Sequence, residues 1–155
     1  MDYDPPLIIE SDGTRRQGTM VRPRHGWDLD LRDREMSYIR IDHQTWLLFD
    51  QTAIVIGCPF TMKVEGETYV LDEQKDLGPL LDQYPDTLTT GTVDEDATLH
   101  LIFGRGWTIE VPPDPRYEAW QIKGPGKNLV VCPPDGGKLA IWTDDSASDV
   151  AGSGP

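Results

Sequence analysis

The sequence predicts a mainly β fold, with α+β the neighbouring class: two packed antiparallel meanders or a partly open barrel, carrying one short helix. Three observations predict it. Apolar residues alternate with polar ones through the stretches Trp27 to Leu71 and Leu99 to Trp142, the period of half-buried strands. The 155 residues include 15 Gly and 13 Pro, which cut the chain into pieces too short for long helices. Helical spacing occurs in one short segment, taken up below.

Residues 1–24 read as a flexible arm, in which Leu7-Ile8-Ile9 offers an edge strand. Residues 144–155 are small and polar and read as a disordered tail, which leaves one β-rich domain over residues 25–143. At its start Trp27, Leu29 and Leu31 alternate with Asp28, Asp30 and Arg32, and Asp33-Arg34 is expected to turn this strand into one carrying Ile39 and Ile41. Asp42-His43-Gln44 makes the next turn. Strands Trp46 to Phe49 and Ala53 to Ile56 follow, and a hairpin around Glu65-Gly66-Glu67 joins Met62-Lys63-Val64 to Tyr69-Val70-Leu71.

Leu77, Leu80, Leu81 and Tyr84 stand at i, i+3, i+4 and i+7, one face of a helix. Proline lacks an N–H, so Pro79 fits only the first turn, and Pro85 ends the segment. So short a helix is expected to plug one end of a sheet.

In the second stretch, Leu99 to Phe103 and Trp107 to Val111 alternate around Gly104-Arg105-Gly106, a connection whose glycines reach the positive φ of a tight hairpin. Pro112, Pro113 and Pro115 stop that ladder. The next strand is expected from about Arg116, with Arg116, Glu118, Trp120 and Ile122 on one face. If that face is inward, the Glu118 carboxylate needs a donor such as Arg116 or Arg105. Turns at Gly124 to Lys127 and Pro133 to Gly137 bracket strands Leu129 to Cys132 and Leu139 to Trp142. A weak repeat runs across the two stretches: at an offset of 54, Asp42 meets Asp96, Leu47 and Phe49 meet Leu101 and Phe103, and Val55 meets Ile109.

Composition narrows the chemistry. Cys58 and Cys132 are too few for a disulfide framework, lack zinc-ligand spacing, and read as buried thiols. His25, His43 and His100 are scattered, so no metal and no cofactor is expected. No serine sits in G-x-S-x-G, and Gly124-Pro125-Gly126-Lys127 lacks the spacing of a phosphate loop. Paired carboxylates are plentiful, Asp94, Asp96, Glu110, Asp114 and Glu118 among them, but abundance in an acidic chain is weak evidence for acid/base catalysis. The N-terminus MDYDPPLIIESDG is neither a signal peptide nor a membrane span, so a cytoplasmic location is the expectation.

The net charge is −13, unevenly placed. Residues 1–40 hold seven arginines against eight acids, whereas residues 65–96 hold ten acids against Lys75 alone, a block of net −9. Such a field repels nucleic acid and anionic membrane and steers a basic protein partner toward it; its bland reading is a solubilising surface.

The combination LHLIFGRGWTIEVPPDPRYEAWQI with VVCPPDGGKLAIW resembles a family of small actinobacterial proteins of unknown function, marked by a proline-broken Y-E-A-W strand and a glycine-rich closing turn. WDLDLRDREMSYIRID is similar to the family's opening hairpin, so the resemblance covers residues 27–142. It implies no activity, and it is similar in kind to the small acidic immunity proteins that neutralise bacterial toxins. The turn Asp135-Gly136-Gly137-Lys138 departs from the P-G-G-E form of the family, so the resemblance carries no acid to Lys138.

These readings lead to an expected function: a non-enzymatic protein-binding module, an immunity or antitoxin-like protein that neutralises a basic partner. A small-ligand-binding β-barrel and a carboxylate-dependent hydrolase are the alternatives. Catalytic residues are not assigned. The partner-binding candidates are Asp94, Glu95 and Asp96 in the acidic block, with Glu118 and Trp120, since tryptophan is favoured at interface hot spots and a carboxylate clamps arginine. The sequence leaves the oligomeric state open.

Overall fold

In the computed structural model, which describes residues 8–10, 26–29, 31–72, 76–136 and 138–142, the chain forms fourteen strands, twelve of them within the alternating stretches, and one helix. In chain order these are β1 (Ile8–Glu10), β2 (Trp27–Leu29), β3 (Arg34–Glu35), β4 (Tyr38–Ile41), β5 (Thr45–Phe49), β6 (Thr52–Ile56), β7 (Phe60–Val64), β8 (Glu67–Leu71), helix α1 (Gly78–Gln83), β9 (Thr87–Val93), β10 (Leu99–Phe103), β11 (Thr108–Val111), β12 (Trp120–Lys123), β13 (Leu129–Val131) and β14 (Ala140–Trp142). They form two antiparallel sheets that do not close into a barrel. The first has the order β1-β2-β9-β10-β11-β7-β8, with β3 also paired to β9, and the second the order β14-β13-β12-β6-β5-β4.

The order shows an exchange. Meander β4-β5-β6 runs on into β7 and β8, but that hairpin leaves for the other sheet and pairs beside β11. Meander β9-β10-β11 does the converse, since β12 and β13 cross over and pair beside β6. Each sheet therefore holds a meander from one half and the following hairpin from the other. The weak repeat in the sequence has its counterpart here: β5 and β10 lie at the offset of 54, with Leu47 and Leu101 both buried and Phe49 and Phe103 both buried. Past the turns the offset becomes 55, because Phe49 pairs directly with Thr52 whereas Phe103 N–H donates to Trp107 across one more residue. Val55 thus corresponds to Glu110, not to Ile109.

Inward residues of both sheets make one core, with Phe49, Phe60, Phe103, Trp107 and Trp120 its largest members and Phe103 stacked on Trp107 at 3.8 Å between ring centroids. Pro79 sits in the first turn of α1, which ends before Pro85. Leu80 is fully buried, the Tyr84 hydroxyl donates to the Ser37 carbonyl, and Arg105 donates to the Gln83 carbonyl, so the helix is fastened over one end of the sandwich.

Three expectations are corrected. Asp33-Arg34 does not turn the first strand into β4: Met36 N–H still reaches Asp86 on the first sheet, and Ser37 N–H already reaches Leu48 on the second, so the chain changes sheets between them. The strand expected from Arg116 begins only at Trp120. Asp114 Oδ1 accepts from the N–H groups of Arg116 and Tyr117 and holds that stretch in a turn. Finally, Thr87 to Val93, to which no element was assigned, is a central strand. Its inward residues are Leu88, Gly91 and Val93, with a bulge in the pairing that breaks strict alternation. A Cβ at Gly91 would lie 2.8 Å from Leu29 Cδ1, so glycine is what lets Leu29 cross there. Of the expected arm, Ile8–Glu10 form β1 on β2; the rest of it, and the expected tail at 144–155, lie outside the described residues.

Candidate functional site

The candidate site grows from the turn between β9 and β10. Its four residues, Asp94 to Ala97, are closed by Ala97 N–H donating to the Asp94 carbonyl at 2.9 Å and by Asp94 N–H donating to the Thr98 carbonyl at 2.9 Å. Ala97 takes a left-handed φ of 71°, uncommon for a residue with a Cβ. The surroundings hold it there. Trp120, fully buried, donates its indole N–H to the Ala97 carbonyl at 3.0 Å, and Asp96 Oδ1 accepts from Thr98 N–H at 3.2 Å.

Asp94 is tied on the other side. His100 Nε2 lies 2.6 Å from Asp94 Oδ2, and His100 Nδ1 lies 3.2 Å from Glu110 Oε2. Strand pairing makes this arrangement: His100 on β10 is opposite Glu110 on β11, and Asp94 arrives from the turn that follows β9. Glu95 and Asp96 remain exposed. The outcome is an acidic turn whose backbone is fixed from beneath by a core tryptophan and whose first carboxylate is fixed by a half-exposed histidine.

A hollow of about 210 Å³ opens on the same outer face, with Thr61, Lys63, His100, Ile102, Thr108 and Glu110 in its lining. Among the described residues no group of three or more His, Cys, Asp or Glu is arranged to hold a metal ion. No helix among them is long and apolar enough to cross a membrane.

Glu118 and Trp120 do not share a surface, contrary to expectation. Trp120 is 0% exposed and cannot touch a partner; it acts on the acidic turn from inside. Glu118 is exposed, precedes the strand rather than lying in it, and accepts from Gln121 Nε2 at 3.0 Å. Both arginines expected as its donors are engaged elsewhere: Arg105 donates to the carbonyls of Pro85 and Gln83, with its Nε 3.9 Å from Asp86, and the Arg116 guanidinium lies over the Tyr117 ring at 5.8 Å from its centroid. Burial and the Glu118 charge push the Cys132 thiol up to about 11 against one backbone bond from Ala119, so Cys132 is an inert core thiol beside Glu118.

The acidic block is not uniform either. The Asp86 side chain is 8% exposed and works as a hub, accepting from Thr87 N–H at 2.6 Å, Arg105 N–H at 3.0 Å and the Trp107 indole at 2.8 Å. Burial alone would raise its pKa, but these bonds and the Arg105 charge together hold its carboxyl below the usual range. Asp86 is therefore structural. Sequence reasoning passed over His100 and Glu110 as site residues, because ten positions separate them and only the β10–β11 register makes them neighbours.

Residues 27–143 match the model of a family of unknown function, DUF6188. No curated protein and no solved structure matches the chain.

Proposed function

We propose that this chain, which belongs to the DUF6188 family, is a non-enzymatic protein-binding module whose acidic turn captures a basic partner in the manner of an immunity or antitoxin-like protein. The observation that carries the reading is the fastening of Asp94 to Ala97. Acids that serve only solubility need no fixed backbone, whereas this turn is held by Trp120, Thr98 and His100 with Glu95 and Asp96 presented outward. A preorganised charged surface loses less conformational entropy on binding, and its field speeds encounter with a cation-rich partner.

Affinity capture with the intact chain from cells that make it, read by mass spectrometry, supplies the partner. Association rates against ionic strength are then measured for the wild type and for D94N/E95Q/D96N. The wild-type rate should fall steeply as salt shortens the screening length to about 10 Å at roughly 0.1 M, and the triple variant should associate more slowly with a shallower salt slope. Equal rates and equal slopes for the two proteins would leave the turn as solubilising surface and end this reading.

A further inference from the structure

We infer that the outer edge of β8, unpaired among the described residues, is a docking strand, on which an extended basic segment of a partner protein adds a further strand to the first sheet. The inference rests on the partner being basic and adds the place and manner of its attachment. Among the described strands at a sheet margin, β8 is the longest, at five residues; no described element pairs with its other side. Val70 on it is 72% exposed.

The hairpin geometry says which groups are on offer. Glu65 and Gly66 form a two-residue turn with φ of 50° and 83°, the type whose flanking residues, here Val64 and Glu67, exchange backbone bonds. Alternation along an antiparallel pair then makes Met62 with Tyr69 and Phe60 with Leu71 the next bonded pairs. Thr68 and Val70 consequently turn their N–H and C=O groups away from β7, toward the open side. A strand laid there gains a ladder of main-chain bonds, the means by which extended peptides add to sheet edges.

Charge selects the occupant. Glu65 and Glu67 stand at one end of the edge and Asp72 at the other, with no base on β8 itself. Two copies of β8 side by side would bring these acids together, and like charges across a strand pair are unfavourable. A segment carrying lysine or arginine meets them with opposite charge. The margin at β4 differs, since it carries Arg40.

The test uses the whole chain and a short synthetic peptide in which lysine and valine alternate. Binding should slow hydrogen exchange at the Thr68 and Val70 amides, and should be lost with the same peptide N-methylated at alternate backbone nitrogens or with glutamate in place of lysine. V70P removes an outward N–H where an edge strand tolerates proline. It should weaken the peptide about tenfold or more, the worth of one to two hydrogen bonds, while V70T should stay near wild type. D94N/E95Q/D96N should keep peptide binding, since β10 is three strands from β8, so failure of the turn reading and failure of this one are read separately. Equal binding of the N-methylated peptide by the wild type, or unchanged exchange at Thr68 and Val70 with the parent peptide, overturns the inference without reliance on a variant that must fold.

Discussion

The outer faces of the two meanders place opposite chemistries at corresponding positions. On β4-β5-β6, Trp46 has the Arg40 guanidinium 4.6 Å and the Lys123 ammonium 4.8 Å from its ring centroid. On β9-β10-β11, His100 takes the position of Trp46 and Thr92 that of Arg40, while Asp94 reaches the imidazole from the turn, so that the ring lies between two carboxylates. One meander thus presents an aromatic ring between cations, the other a histidine between anions. Beneath them, Leu47 and Leu101, and Phe49 and Phe103, are alike. Inward positions are constrained by close packing, in which each methylene is felt, whereas outward ones meet water and are free to diverge. The exposed acidic turn lies on one meander only, at no cost to the shared core.

Matched substitutions test how alike the halves are. The largest effect is expected in the core. L47A and L101A each delete a fully buried leucine from equivalent strands, and each should cost about 2–5 kcal/mol in denaturant unfolding, with values close to one another. A difference of several kcal/mol would show that the halves share topology without sharing packing.

Next in size is the Asp86 hub, which has no counterpart in the first half. D86N should cost about 1–3 kcal/mol, as buried donors lose a charged acceptor. Because the folded Asp86 carboxyl is held below its ordinary value, its contribution is present in full above the unfolded value of about 3.9 and is lost as pH falls through the lower folded one. Melting temperature against pH should therefore drop in acid for the wild type and drop less for D86N. Parallel curves would remove Asp86 from the acid response.

Thr45 sharpens the comparison at a smaller scale. It is 0% exposed, its hydroxyl has no hydrogen-bond partner among the described residues, and the corresponding residue of the other half is the apolar Leu99. T45V removes that unsatisfied group at similar volume and should stabilise the protein by about 1 kcal/mol. A loss of stability would mean that the hydroxyl is satisfied in solution.

The smallest effects belong to the outer faces. W46A and H100A should each change stability by less than about 1 kcal/mol, since exposed cation–π and ion pairs contribute little. Only H100A should alter partner association, because His100 holds Asp94 at the acidic turn. Equal effects of the two on association would put the binding surface on both sheets.

The sequence by itself determined what depends on neighbours along the chain. Alternation marked β10 and β11; apolar runs set off by turn residues marked β5 and β6; turn residues marked the Glu65-Gly66 hairpin; and the i, i+3, i+4, i+7 spacing with Pro79 and Pro85 marked α1. Even the exposure of Glu95 and Asp96 was legible, since charged turn residues stay in water. Tertiary structure decided what depends on pairing across the chain. β9 went unread because Gly91 and a bulge erase the alternation that its partners Leu29 and Leu101 supply in space. The crossing of β7 and β12 into opposite sheets leaves no local mark, because either sheet buries the same apolar face. Trp120, expected on a partner-binding surface, lies inside: alternation says that a side chain faces one side, and only packing says that this side is the core, from which its indole holds the acidic turn.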